Sequence, residues 1–192
     1  MKNRKVSILA IIGIGLIVCS FCLVAALHIC MEQGSRQSQK AAEQISALLP
    51  EKTPGIAEVY SDAQMPVMEI DGVDYVGLLE VPAFGICAAI ADEWNGKSLF
   101  PAVGRAWGSA YDGSLVIGGS DYPGQLAFCA EVELGTQITV TDMTGARFSY
   151  TVSRVDRAKS AEAQWLANGD FALTLFCRNT YAMEYIAVRC NP

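Results

Sequence analysis

The longest apolar run of the chain extends from Val6 to Leu27 and carries no charge. Lys2, Arg4 and Lys5 precede it and Glu32 follows it. A run of this length matches the roughly 30 Å hydrocarbon core of a bilayer. The basic flank predicts a cytoplasmic N-terminus and an external C-terminal part. One rival is a cleaved signal peptide: Ala25 and Ala26 are small, but the run exceeds a usual h-region. A lipoprotein signal fits less well, because Leu27, His28 and Ile29 are bulky residues ahead of Cys30.

After this run the pattern becomes polar. Residues 33–40, with Gly34, Ser35 and Ser38, read as a juxtamembrane linker. Residues 41–49 have the composition of a short helix, stopped at Pro50. Residues 51–64, with Pro54 and Gly55, read as a flexible spacer. The expected organisation is an anchor over 1–32, a linker over 33–66 and a globular domain over 67–192. In that domain the apolar runs are short and separated by turn residues. Residues 67–70 and 73–81 flank the turn Asp71-Gly72, and residues 82–85 then turn the chain. Further strands are predicted over 114–117, 135–140, 147–152, 173–176 and 186–188. Residues 94–108 read as irregular and 160–167 as a helical insert. About eight short strands with glycine turns predict an all-β barrel or sandwich.

Composition narrows the function. The net charge is −6 and there is no basic run, which argues against nucleic acid. The seven cysteines make no dense disulfide framework. Cys19 and Cys22 lie within the apolar run, where packing is their simplest role. Cys87, Cys129, Cys177 and Cys190 lie in the globular domain at no motif spacing, and their pairing is left open. No nucleophile elbow, paired-carboxylate spacing or metal-ligand cluster occurs, and no cofactor is expected. Trp94, Trp107 and Trp165 are read as packing residues or as the lining of a groove.

The region from Val67 to Asn191 resembles the sortases, the membrane-anchored cysteine transpeptidases of Gram-positive bacteria, and most nearly their class B and D members. Thr174-Leu175-Phe176 and Val188-Arg189-Cys190 are similar to the family's last two strands. The stretch from Tyr75 to Pro82 is similar to its first barrel strand, and Gly108-Ser109-Ala110 to the approach to its histidine strand. The resemblance implies a closed eight-stranded β-barrel with short helices, preceded by one transmembrane helix. It also implies a sorting-signal peptide or a cell-surface protein as partner.

A sortase needs a thiolate nucleophile, a histidine acid and an arginine that stabilises the oxyanion. The resemblance puts Ser120 at the histidine position, after Val116-Ile117-Gly118-Gly119. It puts Arg178 at the nucleophile and Tyr185 at the arginine. A serine hydroxyl does not shuttle protons near neutral pH, and a tyrosine lacks the charged fork of a guanidinium. The single histidine, His28, lies at the end of the apolar run. Cys177 remains as an alternative nucleophile. Side chains alternate along a strand, so if Arg178 faces the site, Cys177 faces the barrel interior. Asp121 reads as a turn residue before Pro123-Gly124. The expected function is a membrane-anchored, catalytically inactive domain that binds a peptide or partner at the former cleft. The alternatives are a cysteine transpeptidase that uses Cys177 without a histidine, and a structural surface domain with no ligand.

Overall fold

The computed structural model describes residues 2–49, 64–94, 103–159, 165, 170–179 and 182–192. The chain separates into two compact units, Met1–Gly34 and Ser35–Pro192.

The first unit is the start of helix α1, which spans Lys2–Leu48. Its described apolar side chains, among them Ile11, Leu16, Phe21 and Val24, are exposed. Among the described residues, no helix is long and apolar enough to cross a membrane. In α1 the side chains of residues 2–7, 9, 27, 30, 31, 33–35, 37 and 38 lie outside the described ones.

Residues 33–40, expected as a linker, are part of α1. Helical hydrogen bonds join backbone groups and polar side chains do not break them, so a polar stretch without proline continues the helix. In the second unit, Ala41, Ala42 and Ile45 at the end of α1 pack on Tyr75, Leu78, Ala89 and Met143. Ile45 is fully buried, which contributes about 1.5–3 kcal/mol. That contact, rather than intrinsic propensity, holds the last turns. The spacer expected over 51–64 lies outside the described residues except for Gln64.

The barrel consists of β2 (Val73–Val81), β3 (Ile86–Ala91), β4 (Val103–Trp107), β5 (Leu115–Ser120), β6 (Gln137–Asp142), β7 (Arg147–Ala158), β8 (Leu173–Asn179) and β9 (Glu184–Asn191). Around the barrel they run β2-β3-β4-β5-β8-β9-β7-β6, and pairing of β6 with β2 closes the ring. A short β1 (Met68–Ile70) forms a hairpin on β2. Among the described residues, two 3₁₀ turns, Pro82–Phe84 and Ala127–Ala130, are short helices of this unit. The expected eight-stranded barrel is thus what the chain forms.

Closure depends on Gly77. A Cβ there would lie 2.2 Å from the Thr141 carbonyl oxygen on β6. Only glycine permits the β2–β6 ladder at that point. The interior is filled by Val76, Leu79, Ile90, Ile117, Leu175 and Val188, among others.

Two strands were not legible in the sequence. β3 is apolar or small at every position, because Ala88 and Ile90 face the interior while Ala89 meets the end of α1. With both faces covered over Ala88, Ala89 and Ile90, the two-residue alternation disappears. β4 falls in the stretch expected to be irregular, with a register shift between Arg105 and Trp107. Of the insert expected over 160–167, only Trp165 is described, and it is helical.

Candidate functional site

Three adjacent strands, β5, β8 and β9, position the residues singled out by the sequence. β5 and β8 are parallel, and β8 and β9 antiparallel. The register pairs Ser120 with Arg178 and Arg178 with Tyr185. These three residues therefore form one row across the sheet, with neighbouring Cβ atoms about 5 Å apart. The next residues on the same face are Gly118, Phe176 and Ala187, followed by Val116, Thr174 and Arg189. The alternate residues form the opposite face: Gly119, Cys177 and Ile186, then Ile117, Leu175 and Val188.

At the end row, burial separates the two faces. Cys177 is 2% exposed and belongs to the barrel interior, together with Leu173 and Leu175. Arg178, one residue on, is exposed, and Ser120 and Tyr185 are half-buried. The Cys177 thiol donates to the Leu126 carbonyl at 3.6 Å. Cys129 and Cys190 are also buried in the interior, and all three are free thiols. Burial, then the neighbouring Cys177, pushes the Cys129 thiol well up. Burial pushes Cys190 up to about 12. The Cys129 and Cys190 thiols therefore stay protonated at neutral pH and are poor nucleophiles. Tyr150 is raised by burial first, and among the described residues its hydroxyl has no partner.

Among the described residues, the outer face is covered beyond its end row. Trp94, whose N–H donates to the Arg105 carbonyl at 2.9 Å, lies over Gly118. A Cβ on Gly118 would be 2.7 Å from the Trp94 ring and 2.7 Å from the Phe176 ring. Trp94 and Phe176 meet edge to face, with centroids 4.7 Å apart. Trp165 packs on the same cluster. Of the three tryptophans, Trp107 is the exposed one.

Sequence reasoning missed the role of Arg189. It is 1% exposed, yet it carries a charge on an apolar strand. Its guanidinium donates to Thr174 Oγ1 at 3.1 Å, to the Trp165 carbonyl at 2.5 Å and to Asp156 at 3.4 Å. It also lies over the rings of Trp165 and Phe171, 5.6 Å and 5.7 Å from their centroids. Burial lowers its pKa and Asp156 opposes that shift. An arginine between Val188 and Cys190, in a strand opposite Thr174, was the available signal. Satisfying a buried guanidinium takes several partners, and these come from three separate stretches of chain.

Other polar clusters are structural. Asp142 accepts from Thr144 N–H at 2.8 Å and Ala146 N–H at 2.9 Å, which closes the β6–β7 turn, and Tyr111 donates to it. Arg105 pairs with Asp92 beside a 420 Å³ cavity that Trp94 and Trp107 also line. Asp121 follows Ser120 in a turn, and His28 lies in the first unit. Among the described residues, no group of three or more potential metal ligands comes together.

Solved structures that superpose on this chain are sortases. A sortase D5 transpeptidase from Clostridium perfringens superposes with a TM-score of 0.58 at 14% identity, over 81% of this chain and 98% of that one. Sortase C from Streptococcus pneumoniae gives 0.54 at 13% identity, over 84% and 87%. Sortase A from Corynebacterium diphtheriae gives 0.53 at 15% identity, over 87% and 92%. No family model matches the sequence, and no curated protein matches it either. The chain has the sortase fold.

Proposed function

We propose that this sortase-fold chain is a membrane-anchored, non-catalytic surface module that binds a peptide or a partner protein at the open end of β5, β8 and β9. The supporting observation is the one-residue register of β8: Cys177 is inside the barrel at 2% exposure, and Arg178 is on the outer row. That row carries a serine, an arginine and a tyrosine in the positions which the sortase resemblance assigns to histidine, cysteine and arginine. The sequence of the barrel unit contains no histidine, the only one being His28. Without an acid–base group, about 10²–10⁴-fold of rate is lost. Without a charged oxyanion donor, about 10²–10³-fold more goes.

The anchor in this proposal is the uncharged stretch from Val6 to Leu27 behind Lys2, Arg4 and Lys5, with the barrel outside the cell. The partner class follows from the fold relatives. The Streptococcus pneumoniae sortase C structure is described in terms of pilin substrate specificity. A surface protein of that kind, or its sorting signal, is the ligand proposed here.

The test uses the full chain in detergent micelles. With a Leu-Pro-x-Thr-Gly peptide, no thiol-dependent cleavage is expected. A maleimide probe at pH 7 is expected to leave Cys177 unmodified until the protein is unfolded. The triple variant Ser120→His, Arg178→Cys, Tyr185→Arg is expected to gain cleavage that the single variants lack, because such groups act as a unit. Cleavage by the wild-type chain that disappears in Cys177→Ala overturns the reading and makes the protein a transpeptidase.

A further inference from the structure

On the outer face of β5, β8 and β9, the middle row of Gly118, Phe176 and Ala187 is shut. The Trp94 ring occupies the space above Gly118 and abuts Phe176. The row beyond it is closed by Arg189, which is tied to Thr174 and to the Trp165 carbonyl. An extended chain lying on the end row cannot continue along the strands, because Trp94 blocks the next 7 Å or so of sheet. Among the described residues, Trp94 is what bounds the end row on that side.

Of the groups at that end row, Arg178 only donates, and the Ser120 and Tyr185 hydroxyls donate or accept; Asp121, next to Ser120, is engaged in an interaction of its own. Arg178 is exposed, and among the described residues no ion pair involves it. The nearest acid on β9, Glu184, is engaged by Arg157 at 2.6 Å. The Ser120 and Tyr185 hydroxyls flank Arg178 in the register, and among the described residues neither has a hydrogen-bond partner. The Ser120 backbone is hydrogen-bonded on both sides. Ser120 N–H donates to the buried Gln125 side chain at 3.2 Å, and its carbonyl accepts from Leu126 N–H at 3.1 Å. A planar guanidinium between two neutral hydroxyls suits the two oxygens of a carboxylate.

We propose that Ser120, Arg178 and Tyr185 form a receptor for the C-terminal carboxylate of a peptide, with Trp94 as the wall that sets the chain end. This rests on the peptide-binding reading above and specifies its ligand. Arg178 grips both carboxylate oxygens, Ser120 and Tyr185 each donate one further hydrogen bond, and the penultimate side chains lie toward solvent. A charge-assisted hydrogen bond contributes about 1.5–3 kcal/mol, so removing the charge on either partner costs roughly 10–100-fold in affinity.

The experiment screens the full chain in micelles against two matched pools of synthetic N-acetyl hexapeptides. One pool ends in free carboxylates and the other in carboxamides. A third pool is amidated and carries a central glutamate. Captured peptides are identified by mass spectrometry and their dissociation constants measured by fluorescence polarisation. Free acids are expected to bind at least 10-fold tighter than their carboxamides. Arg178→Gln should erase that difference with an unchanged melting temperature, since the residue is exposed. Arg178→Lys should retain part of it, and the preference should weaken with added salt. Equal binding of acids and carboxamides, or affinity that follows the internal glutamate, overturns the chain-end receptor and leaves the binding module standing. No capture from any pool overturns both.

Discussion

The two faces of β8 differ by one residue and by everything chemical. Leu173, Leu175 and Cys177 point into a barrel interior of aliphatic side chains and thiols. Thr174, Phe176 and Arg178 point outward into a layer built from aromatic rings, an ion pair and, at the end, an open cation. From Leu173 to Cys177 both faces are buried. Burial alone therefore does not distinguish scaffold from site. The polar partners do: the interior needs almost none, whereas the outer layer is held by directional bonds to Arg189. An apolar face tolerates no exposed chemistry, and a directional layer can end abruptly and leave one row accessible.

The outer layer breaks most readily at its hub. Arg189→Ala removes packing against two rings and leaves Thr174 Oγ1 and the Trp165 carbonyl without their donor. The expected loss is about 3 kcal/mol, read from urea unfolding. Asp156 keeps Arg154 at 2.6 Å, so it is not stranded. A loss below about 1 kcal/mol would show that the outer layer does not depend on this arginine.

Alkaline pH loads the interior instead. Burial holds Cys190 at about 12, against 9.0 for an unburied thiol, and burial and then Asp142 hold Tyr111 at about 12, against 10.0. The folded state keeps protons that the unfolded chain has lost. Stability is therefore full below pH 9 and falls as pH rises toward 12. By pH 11 the Cys190 contribution is a loss of roughly 2–3 kcal/mol. A Cys190→Ala variant should show a flatter profile of unfolding midpoint between pH 8 and 11. An identical slope in that variant would remove the buried thiol as the cause.

Gly118→Ala sharpens the contrast with the smallest perturbation. Its methyl would overlap the Trp94 and Phe176 rings at 2.7 Å, and displacing them costs about 1–3 kcal/mol. The change should shift tryptophan emission to the red while leaving Cys129, Cys177 and Cys190 unreactive to thiol probes. Labelling of the interior thiols in this variant would mean that the two faces are mechanically coupled.

Much of this was legible along the chain. Short apolar runs between glycine turns specify many strands, and a two-residue period assigns Cys177 and Arg178 to opposite faces once either is oriented. The histidine count and the identities of Ser120, Arg178 and Tyr185 are properties of the sequence alone. β3 escaped because both its faces are covered over Ala88, Ala89 and Ile90, which erases the alternation. α1 ran through the expected linker because backbone hydrogen bonds are indifferent to polar side chains on a solvated helix.

Only the tertiary structure decided what lies above each row. That Trp94 fills the place of a missing Cβ at Gly118 depends on a contact between β4's flank and β5, which no local pattern encodes. That Arg189 is buried and satisfied depends on Asp156, Thr174 and Trp165 arriving from three segments. Sequence periodicity reports which way a side chain leaves its own strand. Its cover is set by loop closure and packing between segments distant in the chain, and on that cover depends whether a row of residues is core or site.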